Sequence, residues 1–124
     1  VQCKLLVVDD QPGIRALLCA LFQDKGFETT EASNGHLALR IAKTQPPDIV
    51  LLDMKIPGMD GLQILRQLRH IVPQARVIMM TAYGELTILR EAMRLGAIAS
   101  VTKPFDIFEL LDIVQTHVVQ TECV

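Results

Sequence analysis

The sequence has no tryptophan, a single tyrosine and only 4 phenylalanines, although half of its 124 residues are hydrophobic. Its core must therefore be aliphatic. A flavin site needs aromatic planes around its ring system, and few are on offer. There is no basic cluster, and the formal net charge is −2, so nothing marks a nucleic-acid surface. No apolar run approaches the roughly 20 residues of a membrane span, and the N-terminus lacks the basic-then-apolar pattern of a signal peptide. A cytoplasmic location is expected, with no membrane and no nucleic acid among the partners. Cys3, Cys19 and Cys123 are widely separated and form no C-x-x-C pair. They read as free thiols in a reducing compartment. His36, His70 and His117 have no zinc-ligand spacing to one another or to a cysteine, and all read as surface residues. The length suits one domain with a real core.

What the chain does contain is a repeated alternation. Leu5-Leu6-Val7-Val8 is an apolar run that ends on Asp9-Asp10. Pro12 then suits a first helical turn, with Asp10 as its N-cap. Ile14, Leu17, Leu18, Leu21 and Phe22 follow at the spacing of one helix face, and Gly26 ends the helix. Glu28 to Ala32 is a thinner strand signal. Asn34-Gly35 turns the chain into a second helix over Leu37, Ala38, Ile41 and Ala42, stopped by Pro46-Pro47. Ile49 to Leu52 is wholly apolar, ends on Asp53, and leads into the glycine-rich turn Pro57-Gly58-Met59-Asp60-Gly61. A helix through Leu62, Ile64, Leu65 and Leu68 comes next. Val77 to Met80 ends on Thr81, and Ala82-Tyr83-Gly84 turns into a fourth helix. Ile98 to Thr102 is a short strand ending on Lys103-Pro104, after which Asp106-x-x-Glu109 opens the last helix. Strand and helix alternate throughout, which predicts an α/β fold with a parallel sheet covered on both faces.

The strand tips carry the chemistry. Strands of a parallel sheet end on one edge, so Asp9, Asp10, Asp53, Thr81 and Lys103 share it. If the sheet is doubly wound in the order 2-1-3-4-5, the first and third strands are neighbours and the three carboxylates converge. Converging carboxylates repel unless a cation joins them. Mg²⁺ suits an all-oxygen site of this kind and keeps open positions for a phosphate oxygen. Asp53 is then a candidate nucleophile forming an aspartyl phosphate, with Lys103 and the Thr81 hydroxyl neutralising charge on the transferred group. Each residue alone has a plainer use. An acid pair after a strand often caps a helix, a strand-end threonine is ordinary, and a lysine before proline is usually solvated. The combination, in this order, is what points to phosphoryl transfer.

Asp9-Asp10, the LLDMKIPGMDG loop, the MTA at Thr81 and Lys103-Pro104-Phe105 resemble the receiver domain of two-component response regulators. The resemblance runs through the whole chain. It implies a flavodoxin-like, doubly wound five-stranded parallel sheet in the order 2-1-3-4-5, with residues 1–124 forming one receiver domain without an output domain. It implies that Asp53 accepts the phosphoryl group and that Thr81 and Lys103 contact it. Mg²⁺ would be held by Asp10, Asp53 and the backbone carbonyl of Lys55, with Asp9 acting through a water. The Lys103–Pro104 peptide would be cis. Lys55 and Tyr83 occupy the positions that tune phosphoryl lifetime in receivers. One position departs from the family: many receivers have an aromatic residue where this chain has Ser100, so a threonine–aromatic output switch is not expected.

Within the family, the sequence is similar to stand-alone phosphorelay receivers. The function expected is a phosphotransferase-type relay that takes a phosphoryl group from a sensor histidine kinase and passes it to a histidine phosphotransferase. A regulatory phosphatase is a further expected partner, and the protein is expected to be monomeric. Gln11, Gly13, Ile14, Leu17, Tyr83, Pro104 and Phe105 are candidates for partner docking. Of these, Ile14 and Phe105 are expected to be partly exposed, whereas Leu17 fits the core better. The alternative is a single-domain regulator that binds a target protein when phosphorylated. A haloacid-dehalogenase-type hydrolase also uses an aspartyl phosphate, but it needs Asp-x-Asp where this chain has Asp53-Met54-Lys55.

Overall fold

The apolar runs become strands, and the helical spacings become helices that cover them. The structure, a computed structural model, describes residues 3–82 and 84–120. In chain order the elements are β1 (Lys4–Val8), α1 (Pro12–Asp24), β2 (Glu28–Ala32), α2 (Gly35–Thr44), β3 (Ile49–Asp53), α3 (Gly61–Ile71), β4 (Arg76–Ala82), α4 (Leu86–Arg94), β5 (Ala99–Lys103) and α5 (Ile107–Gln120). The strands form one parallel sheet in the order β2-β1-β3-β4-β5. This is the order expected from the sequence. β5 lies one residue later than predicted, so Lys103 is its last residue rather than the start of a loop.

Alternate residues of each central strand feed opposite faces, as the two-residue strand period requires. Leu6, Val8, Val50, Leu52, Val77 and Met79 pack with Ala38, Ile64, Leu65 and Ala92 from α2, α3 and α4. Leu5, Val7, Ile49, Leu51, Ile78 and Met80 pack on the other face with Leu18 and Phe22 of α1 and Leu110 and Val114 of α5. Phe22 meets Phe27 edge to face with ring centroids 5.4 Å apart, a favoured aromatic geometry.

Four local expectations are corrected. The buried residues of α1 are Leu18, Cys19 and Phe22, while Leu17 is 44% exposed. Leucines and isoleucine give this helix a wide apolar arc, and Cys19 takes the inward position that turns Leu17 outward. Asp10 does not cap α1: Gln11 holds the N-cap position with no side-chain cap bond. Cys3 is disulfide-bonded rather than a free thiol, a state that local spacing does not mark. Cys19 is a free, buried thiol, and Cys123 lies outside the described residues. His117 is half-buried, and its Nδ1 has no partner among the described residues. It sits late in α5, and a helix closing on the sheet buries more of its last turns than the sequence pattern suggests. His36 and His70 are exposed as expected.

Candidate functional site

Strand register aligns the tips. Val8 pairs with Leu52, so Asp9 and Asp53 stand level on neighbouring strands. Asp53 pairs with Met80, and Ala82 with Lys103, which places Thr81 and Lys103 just beyond that level. α3 is drawn tight against this edge. The Gly61 N–H bonds the Met54 carbonyl at 3.0 Å, and a Cβ on Gly61 would lie 2.6 Å from the Met54 Cα. Only glycine allows that approach. Asp60 and Gln63 form a reciprocal capping box at the start of α3, which anchors the loop behind Asp53.

Asp9 is fully buried, Asp53 is 7% exposed, and Asp10 faces solvent. One carboxylate oxygen from each of the three lies within 4.8 Å of the others. Lys103 Nζ bridges the two buried acids, at 2.6 Å from Asp9 Oδ2 and 3.1 Å from Asp53 Oδ2. The remaining oxygens accept backbone amides: Gln11 N–H donates to Asp9 Oδ1 at 2.9 Å, and Lys55 N–H to Asp53 Oδ1 at 3.1 Å. These bonds explain the corrected cap. Asp9, not Asp10, turns back on the start of α1, so the Asp10 carboxylate stays out of helix capping and points to the acid cluster.

Burial pushes the Asp53 carboxyl above the usual aspartate range, against the opposing pull of the Lys55 amide and the Lys103 charge. Burial also works against the Lys103 ammonium, but Asp9 and Asp53 outweigh it and hold its pKa above the usual lysine value. One ammonium for three carboxylates leaves the site negative and lined by hard oxygen donors. That donor set matches a small divalent cation.

The other expected residues fall as follows. Thr81 is 4% exposed, and its hydroxyl donates to the Val101 carbonyl at 3.3 Å. The Lys55 side chain is 72% exposed, with its ammonium 4.0 Å from Glu85 Oε1. Lys103–Pro104 is cis. Gln11, Gly13 and Pro104 are exposed. Ile14 and Phe105 are half-buried against the α1–α5 core. Leu17, also on α1, is exposed. Tyr83 lies outside the described residues. A cleft of about 480 Å³ opens beside Asp10, lined by Lys55, Ile56, Pro57, Glu85 and Ile88.

Two contributors escaped the sequence reading. Glu85 Oε1 accepts the Ala82 N–H at 2.9 Å and so folds the β4–α4 loop on itself. Its signal was the three-residue offset between Ala82 and Glu85. Arg15 Nη1 donates to the Asp9 carbonyl at 2.8 Å, and its Nε to Glu31 Oε1 at 2.9 Å. A lone arginine one turn into a helix gave no such signal.

A buried carboxylate at the centre of a doubly wound sheet edge, with an acid pair on one side and a lysine on the other, is the arrangement expected of a receiver domain. The family model for the response regulator receiver domain matches residues 5–115. The chain belongs to that family. It is 52% identical over 114 residues to sporulation initiation phosphotransferase F of Bacillus subtilis, covering 92% of each chain. It is 44% identical to the regulatory protein AtoC of Escherichia coli, matching 90% of this chain but spanning only 24% of AtoC. Among solved structures, the chemotaxis protein CheY4 of Vibrio cholerae superposes with a TM-score of 0.87 at 28% identity, over 94% of this chain and 98% of that one.

Proposed function

We propose that this receiver is a phosphorelay intermediate. Asp53 accepts a phosphoryl group from a sensor histidine kinase and passes it to a histidine phosphotransferase. The observation that carries this reading is the pairing of Asp53 with Lys103 beside the Asp9–Asp10 acids at the sheet edge. The 52% identity to a relative named a phosphotransferase supports the relay reading. The sporulation in that relative's name comes to this chain as part of the same reading, as does a regulatory phosphatase partner.

In the forward step an Asp53 carboxylate oxygen forms the P–O bond while the P–N bond to the donor imidazole breaks, and the electron pair leaves with the imidazole nitrogen. The return step reverses this on the acceptor histidine. Lys103 is already within bonding range of Asp53 and can follow the phosphoryl oxygens as charge moves onto them. Buried Asp9 holds the far side of that ammonium. Thr81 stands next to the site, and its hydroxyl can rotate from the Val101 carbonyl toward a phosphoryl oxygen. Asp10, Asp53 and the Lys55 carbonyl would hold Mg²⁺, with Asp9 acting through a water. The ion supplies charge neutralisation at the transferred group. Ile14, Leu17 and Phe105 are the candidate apolar residues for docking a histidine-bearing helix. A cytoplasmic location belongs to this reading. No described helix is long and apolar enough to cross a membrane.

The test is phosphorylation by acetyl phosphate with Mg²⁺, read by mass spectrometry. One added phosphoryl group on Asp53 is expected, lost in Asp53→Asn and suppressed by EDTA. Labelling that survives the substitution at no new acceptor, or a rate indifferent to EDTA, would overturn the assignment.

A further inference from the structure

At Asp9 the sheet ends. The Asp9 N–H still bonds the Ala32 carbonyl at 3.1 Å, but the Asp9 carbonyl is met by a side chain. Arg15 Nη1 donates to it at 2.8 Å. The guanidinium is itself held, because its Nε donates to Glu31 Oε1 on β2 at 2.9 Å. Its backbone is fixed as well, through the Arg15 N–H to the Gln11 carbonyl at 3.1 Å. The Arg15 side chain is only 15% exposed, whereas Glu31 is 51% exposed.

We propose that Arg15 is a positioning residue of the acidic site. Its guanidinium fixes the Asp9–Asp10 peptide and thereby sets the directions of both carboxylates toward Asp53. The inference rests on the phosphoryl-transfer reading above. A peptide group is a rigid plane. Holding the Asp9 carbonyl oxygen therefore fixes the Asp10 nitrogen and Cα, the atom from which the Asp10 side chain leaves. Asp10 faces solvent and has no cap to make; besides Arg15, the peptide is bracketed by the bond from the Gln11 N–H to Asp9 Oδ1 at 2.9 Å, which leaves the carbonyl oxygen to the guanidinium. A planar fork with several donors can hold a carbonyl and a carboxylate at once, which an ammonium cannot do as rigidly. A surface ion pair with half-exposed Glu31 would contribute little by itself. The bond to the carbonyl links that pair to the site.

The sign of one effect separates positioning from charge. Arg15 is a cation near a cation site, so removing it should strengthen Mg²⁺ binding if Coulomb repulsion is all it contributes. Loss of positioning weakens binding instead, by about tenfold, as for other groups that orient metal ligands. Isothermal titration of Mg²⁺ into Arg15→Met, which keeps the apolar stem, is the measurement. The half-saturating Mg²⁺ concentration for acetyl-phosphate labelling should rise in parallel, with an unchanged plateau. In an Asp10→Ala background the effect of Arg15→Met should largely vanish. If Arg15→Met does not fold, Arg15→Lys keeps the charge and loses the fork, and about threefold weaker binding is expected. Affinity equal to the parent's, or tighter, in whichever variant folds would overturn the inference alone. A parent that binds no Mg²⁺ would overturn the phosphoryl-transfer reading and this inference with it.

Discussion

Asp53 works against the apo fold. Burial raises its pKa, so the folded protein holds that proton more readily than the unfolded chain does. The stability contributed is full below the unfolded value of 3.8 and is lost as pH rises through the folded pKa. Ionised Asp53 is thus destabilising at neutral pH when no metal is bound. Asp53→Asn should melt higher than the parent at pH 7.5 in EDTA, and the gap should close as the pH is lowered toward 4. A lower melting temperature at neutral pH would contradict this. Lys103 works the other way, since it neutralises a fully buried Asp9. Lys103→Met should cost about 3 kcal/mol in urea unfolding, the low end for stripping a buried acid of its cation, and Mg²⁺ should restore part of it. An unchanged midpoint would show that Asp9 is carried by other groups. Lys55 is exposed, with its stem free to lie over Asp53 or reach to Glu85. Neither it nor Tyr83 is a carboxylate or amide able to hold an attacking water, so the phosphoryl group should persist. Lys55→Asn with Tyr83→Glu should speed its loss about tenfold, a barrier lower by ~1.4 kcal/mol. Equal decay in both proteins at saturating Mg²⁺ would end the shielding idea.

At the scale of elements, the close approach of α3 to the tip of β3 makes a sharp prediction. Gly61→Ala would drive a methyl into the Met54 backbone. It should cost about 1–3 kcal/mol by overpacking and slow the labelling of Asp53, since the chain that must move carries the acceptor. A stable variant with full activity would show that α3 can slide away. α1 provides a second test. Leu18→Ala should cost about 2–5 kcal/mol, while Leu17→Ala should stay within about 0.5 kcal/mol. Equal losses would mean that Leu17 is packed after all. These two leucines also mark the limit of what was legible in the sequence. Strands such as β3 announce themselves, because a short apolar run between turns has few other uses. So do the acids and the lysine at their tips. The inward side of α1 does not, because leucines and isoleucine cover so much of its circumference that spacing alone leaves the rotation open. Arg15 was invisible for a related reason, since the Asp9 carbonyl that it meets carries no residue identity, and Glu85 left only the three-residue offset from the Ala82 amide.

At the scale of the molecule, four strand–helix–strand crossovers bring the candidate site residues to one sheet edge, leaving the two layers of helices to hold that edge rigid. Asp9, Asp53, Thr81 and Lys103 come from four different strands, so the site exists only in the assembled sheet. In the proposed relay, Ile14, Leu17 and Phe105 are the candidate apolar docking residues for the partner. Replacing Leu17 with Asp should therefore slow transfer from a phosphohistidine protein while leaving acetyl-phosphate labelling unchanged, and equal slowing of both would argue for a folding defect. The central claim is that Asp53 is a way station between two histidines. It is tested most directly by mixing the protein with a ³²P-labelled histidine phosphotransferase and Mg²⁺, then in a second vessel starting from labelled Asp53. Label that moves in both directions and equilibrates between the two proteins is the predicted result. Label that enters Asp53 and then leaves only as inorganic phosphate would contradict it.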